Sequence, residues 1–218
     1  MATSALALVL TSAVLHASWN LLAKRVRGVF GVAWGYAMVG SVALAPVGLF
    51  AWLRMEGSVS LVGMGFLLGS ALLHVGYFTT LQRAYGWGDL SLVYPLARGT
   101  GPALAVLGAV VLLGERPGPW GWLGAGLVAV AAFGLASCGA AVGSRRAVLF
   151  GLGTGAFIGA YTLWDAVAVT RVGVPVVVFA WLSEVVRAVL LAPVAWRRRA
   201  EVARVWRESR GALVGWGC

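Results

Sequence analysis

Four ionisable residues stand inside long apolar runs: Arg98, Asp165, Glu184 and Arg187. Charge is costly at bilayer depth, so residues of this kind face a cavity or a partner. The four balance as two positive and two negative. Glu184 and Arg187 are three apart and share a helix face, which predicts a local structural ion pair. Asp165 is the proton-coupling candidate, because a low dielectric penalises the ionised carboxyl and a proton loaded and released there can drive a conformational cycle. Its other reading is a structural partner for Arg98. Tyr161 lies four residues before Asp165, on the same face, and Trp164 adjoins it. Arg98 follows Tyr94 by one turn and lies just past Pro95. That proline removes one helical hydrogen bond and frees a carbonyl. A fixed cation beside a loosened helix suits an anionic or carboxylate-bearing ligand. The alternative is that Arg98 snorkels or pairs with Asp165 and supports packing.

Other polar side chains carry weaker signals. His16, Trp19 and Asn20 share one helix face, as do His74 and Tyr77. The candidate substrate contacts are therefore Trp19, Asn20, Tyr77, Tyr94, Arg98, Tyr161 and Trp164. The histidines read more readily as hydrogen-bonded packing residues than as titrating ones. Thr79, Thr80 and Gln82 have the makings of ordinary interhelical hydrogen bonds. No His, Cys, Asp and Glu stand at metal-ligand spacing, and no Ser-His-Asp set is suggested. No catalytic residue, metal or cofactor is expected, and the chain does not read as an enzyme. Gly151, Gly155 and Gly159 form a double GxxxG, and Gly65 and Gly69 a single one. They mark either a static close-packed seam or a sliding one. Gly151-Leu152-Gly153 is no dinucleotide loop, because no strand precedes it.

The elements that carry these residues are membrane helices. Hydrophobic residues make up 61% of the 218-residue chain and charged residues 11%, where a soluble domain carries about 25% charge. A chain of this length cannot hide so much apolar surface from water. Seven apolar stretches run near 4–23, 30–53, 60–82, 90–113, 119–138, 147–169 and 174–196, and an eighth begins near Gly211. Each has close to the ~20 residues that cross a bilayer as a helix. They are continuously apolar, not alternating, so helices fit better than barrel strands. The connections are short except for Arg197 to Arg210, which reads as a juxtamembrane loop. The first stretch is not a signal peptide, since its positive charges, Lys24, Arg25 and Arg27, follow the apolar run. Cys138 and Cys218 form no framework.

Charge and repetition give topology. Loops after the odd-numbered stretches carry twelve basic residues: Lys24, Arg25, Arg27, Arg83, Arg145, Arg146, Arg197, Arg198, Arg199, Arg204, Arg207 and Arg210. Loops after the even-numbered ones carry three, Arg54, Arg116 and Arg171. Basic loops stay in the cytoplasm, which predicts an outward N-terminus. The net charge of +10 sits in those loops, where it sets topology and meets anionic lipid rather than nucleic acid. Trp19-Asn20 returns as Trp164-Asp165, Ala45-Pro46-Val47 as Ala192-Pro193-Val194, and Leu61-Val62-Gly63 as Leu213-Val214-Gly215, at offsets of 145, 147 and 152. A repeat of five spans enters from opposite faces, and the basic bias changes hands between the two copies as an inverted repeat requires.

At these residues the chain resembles a family. His16-Ala17-Ser18-Trp19-Asn20-Leu21-Leu22-Ala23-Lys24 is similar to the first helix of EamA-type members of the drug/metabolite transporter superfamily. Leu92-Val93-Tyr94-Pro95-Leu96-Ala97-Arg98, followed by Gly114-Glu115-Arg116, resembles that family's fourth helix and its end. Trp122-Leu123-Gly124-Ala125 resembles the start of its fifth. The resemblance implies ten helices in two inverted five-helix repeats around a central cavity. It implies export or uptake of small metabolites or drugs, often ion-coupled. The expectation is thus an all-α polytopic membrane protein with seven transmembrane helices plus the start of an eighth, from an inverted 5+5 repeat. Residues 1–140 would be the first repeat and 145–218 an incomplete second one. Adding the offset of 152 to Cys138 puts a complete protein near residue 290. A non-transporting fragment or assembly subunit is the alternative, with a membrane-embedded enzyme behind it. The partners expected are a small-molecule substrate and the lipid bilayer, with no nucleic acid, and the location is the plasma membrane. A homodimer would restore the cavity only if the partner supplied the missing helices.

Overall fold

The computed structural model describes residues 29–55, 57–140 and 145–214. The stretch near 4–23, with His16, Trp19 and Asn20, lies outside them. Every regular element among the described residues is helical. They are α1 (Val29–Arg54), α2 (Leu61–Trp87), α3 (Leu90–Gly108), α4 (Pro119–Ala140), α5 (Arg145–Thr170), α6 (Val176–Arg197) and α7 (Arg199–Val214). A π-helical turn, Ala109–Leu113, continues α3. Five spans are long and apolar enough to cross a membrane: α1, α2, α3 with its π turn, α5 and α6. α4 adds a helix of 22 residues. At about 1.5 Å per residue these lengths match a hydrocarbon core of ~30 Å with some tilt. The protein is a helical membrane protein.

Contacts fix the direction of each helix. Gly40 of α1 meets Glu184 of α6, and Gly48 meets Trp181, so these two run antiparallel. Gly69 meets Trp164 and Gly76 meets Phe157, so α2 and α5 are antiparallel too. Gly151, Gly155 and Gly159 of α5 receive Leu96, Thr100 and Leu104 of α3 in ascending order, so those helices are parallel. Direction therefore alternates along the chain, as full crossings require. The lateral order does not follow the chain. α5 packs against both α2 and α3, and α6 against both α1 and α2. The later helices interleave with the earlier ones, while α4 packs on α3 and α7 on α1.

The glycine seams explain the interleaving. A Cβ on Gly155 would lie 2.6 Å from the Thr100 Cβ and 3.2 Å from the Ala97 carbonyl oxygen. Glycine alone permits that approach of backbones. Gly101 and Gly108 of α3 return the arrangement by receiving Ile158 and Leu163. Of the second motif only Gly69 is used, under the Trp164 ring, and nothing lies near Gly65. Large apolar side chains such as Val42, Leu53 and Val111 point outward, where lipid replaces water.

The two ends of the bundle differ. α1, α3 and α5 all terminate at one end, each followed by a left-handed glycine: Gly57 (φ 106°), Gly114 (φ 72°) and Gly173 (φ 78°). Glycine takes that conformation without a Cβ penalty. Among the described residues this end carries Arg54, Arg116 and Arg171. The other end carries Arg83, Arg145, Arg146, Arg197, Arg198, Arg199, Arg204, Arg207 and Arg210. Exposed tryptophans mark both levels, Trp87 and Trp196 at the basic end and Trp120 and Trp122 at the other, as interfacial aromatic belts do.

One expectation is corrected. Arg197 to Arg210 is not a loop, and Gly211 does not open a new element. Arg199–Val214 is one helix, separated from α6 by Arg198 alone. Val202 and Val205 lie three apart on the face that meets Gly31, with arginines elsewhere. This amphipathic spacing suits a helix at a surface and no proline interrupts it.

Candidate functional site

The polar residues converge where α2, α5 and α6 face one another. His74 on α2, Asp165 on α5, and Ser183, Glu184 and Arg187 on α6 line a cavity of about 530 Å³, with Thr162 at its wall. His74 is thirteen residues from the start of α2 and Arg187 ten from the end of α6. At about 1.5 Å per residue both sit roughly 15–20 Å inside their helices. A cavity of this size holds a small molecule.

Glu184 and Arg187 form the ion pair that their spacing implies. Arg187 Nη1 lies 3.3 Å from both carboxylate oxygens. Both distances are long for a charge-assisted hydrogen bond. The Arg187 Nε and the Ser183 hydroxyl are buried without hydrogen-bond partners. Glu184 also leans on α1, where its carboxylate occupies the space beside Gly40 that a Cβ would need. Asp165 sits near Ser70 and Arg187, and its Oδ1 is buried and unpartnered. Arg187 lines the same cavity as Asp165.

An aromatic cluster lies beside the charges. The His74 ring stacks on Tyr161 at 4.1 Å between centroids, and Tyr77 meets Tyr161 edge-on at 5.8 Å. His74 Nδ1 is 2.9 Å from the Ser70 carbonyl oxygen. A carbonyl only accepts, so Nδ1–H donates and the neutral ring keeps Nε2 as an acceptor. Arg98 lies over the Tyr94 ring at 5.6 Å.

Tyr77 and Tyr161 lie together with His74, which lines the cavity with Asp165, and Arg98 lies with Tyr94. Trp164 is held differently: its indole N–H donates to the Phe66 carbonyl at 2.8 Å, and its ring covers Gly69. Trp19 and Asn20 lie outside the described residues. Sequence reasoning passed over Ser70 and Ser183. Their only signal is polarity inside an apolar run, which Thr79, Thr80 and Thr154 share while bonding only to their own helices.

A second cavity, of about 520 Å³, lies on the far side of α5 toward the sparsely charged end. Glu115 and Arg116 line it beside the π turn, and Thr162 and Ala166 border both cavities. Arg171 donates to the Leu113 carbonyl at 2.9 Å and ties α5 to the π turn. No group of three or more His, Cys, Asp or Glu among the described residues could hold a metal. No family model, curated protein or solved structure matches the chain.

Proposed function

We propose that the chain is a secondary transporter for a small polar or amphipathic metabolite, built on the plan of the EamA-type transporters and placed in the plasma membrane. The observation that carries this reading is the cavity lined by His74, Asp165, Ser183, Glu184 and Arg187 within apolar helices. Ionisable groups at such depth mark substrate and ion pathways. Unpartnered polar atoms at that wall, Asp165 Oδ1, Ser183 Oγ and Arg187 Nε, are open to a ligand that supplies both donors and acceptors. In this reading Asp165 carries the coupling proton. Arg98, with Tyr77, Tyr94, Tyr161 and Trp164, orients the substrate, joined by Trp19 and Asn20. The inverted-repeat part of the reading is supported by α1 and α6. They carry the matching Ala-Pro-Val segments, run antiparallel and pack together.

The test uses the purified chain and a thermal-shift screen against small metabolites of all charge classes. A ligand should raise Tm of the unaltered chain by several degrees. Arg98→Ala and Asp165→Asn should each reduce that shift at least severalfold with the unliganded Tm retained. The same compound should move across reconstituted vesicles down an imposed proton gradient. A ligand that stabilises both variants equally would place binding elsewhere and overturn the reading.

A further inference from the structure

The basic end of the bundle is not used by the transport reading, and α7 gives it a surface. α7 begins one residue after α6 ends, so it is confined to the level where a membrane span meets the headgroups. Of its two acidic residues, Glu201 and Glu208, the first is turned inward. The carboxylate accepts the Gly31 N–H at 3.1 Å, one of the unpaired donors at the start of α1. It also lies 3.5 Å from Arg198. Val205 is buried against Gly31, and Trp206 lies beside Gly35. One face of α7 is thus spent on α1. Arg199 and Arg207 are exposed, and Arg145, at the start of α5, is exposed at the same end. Trp196, 77% exposed, supplies the amphipathic ring that a headgroup layer favours.

We propose that this end binds anionic phospholipid headgroups, with α7 as the platform and Arg199, Arg207 and Arg145 as phosphate contacts. Charge complementarity carries the assignment. Among the described residues nine arginines stand at this end against three at the other, and cytoplasmic leaflets are negative. A guanidinium matches a phosphate with two parallel donors. Lipid is favoured over nucleic acid by place: the platform is joined by one residue to a membrane span and flanked by exposed indoles, where lipid phosphate is the densest anion.

The test is lipid retention by the full purified chain in neutral detergent, read by native mass spectrometry. Phosphatidylglycerol and phosphatidylcholine are offered at equal concentration. At about 0.15 M salt, phosphatidylglycerol should be retained roughly tenfold better, and the preference should shrink as salt rises. Arg199→Gln with Arg207→Gln should remove most of that preference. The Arg199→Lys, Arg207→Lys chain should keep most of it, and Arg54→Gln with Arg171→Gln at the opposite end should leave it unchanged. Equal retention of the two lipids by the unaltered chain would overturn the proposal, whether or not the glutamine variant folds. So would an equal loss in the opposite-end variant. Displacement of the lipid by millimolar inorganic phosphate, or by single-stranded nucleic acid at lower concentration than lipid, would also overturn it.

Discussion

At the scale of single residues, the polar wall separates side chains that hold the fold from those left open. Glu184 and Arg187 are partners, so removing one leaves a buried charge uncompensated. Glu184→Gln should destabilise the protein by on the order of 3 kcal/mol, read as a large fall in Tm in detergent. Ser183 is the opposite case. Its hydroxyl is buried with no partner, so Ser183→Ala should leave Tm unchanged or raise it slightly. If ligand satisfies that hydroxyl, the same variant should weaken ligand binding. Asp165→Asn should preserve Tm and abolish the pH dependence of transport. Flux with unchanged pH dependence in that variant would make Asp165 a structural residue. The four charged residues were legible in the sequence because charge inside an apolar run is conspicuous. That Asp165 and Arg187 line one cavity was not, since helical spacing orders neighbours within a helix and not between helices.

At the scale of elements, apolar length identified α1, α2, α3, α5 and α6, because a span must satisfy its own backbone. Their lateral order was hidden. It depends on which glycine receives which side chain, and the same GxxxG spacing served Gly155 but not Gly65. α7 was missed because its apolar face is narrow, Val202 and Val205 between arginines, and its net polarity reads as a loop. The glycine seam has an internal control. Gly155→Val should separate α3 from α5 at a cost of about 1–3 kcal/mol. At Gly153, on the same helix, a new Cβ would meet nothing within 4 Å. Gly153→Ala should leave Tm unchanged or raise it slightly, because alanine favours a helix more than glycine does. Equal losses at both positions, measured by thermal unfolding, would mean that propensity and not packing sets the effect.

At the scale of the whole molecule, alternating helices, two tryptophan levels and one basic end describe a protein with a fixed sense in the membrane. The basic end should face the cytoplasm. In a chain with Cys138 and Cys218 replaced by serine, Ser58→Cys should react with an impermeant thiol reagent in intact cells. Ala203→Cys on α7 should react only after permeabilisation. On the proposed function, the cavity between α2, α5 and α6 admits water and a polar ligand to Asp165, Ser183 and Arg187. Ser183→Cys tests it most directly, because the change is small and the residue lines the cavity. In vesicles, a small charged methanethiosulfonate reagent should modify Ser183→Cys and leave the lipid-facing Val42→Cys unmodified. A ligand found by thermal shift should protect Ser183→Cys. Failure of Ser183→Cys to react from either side of the membrane would contradict the claim, because it would make the cavity dry and closed.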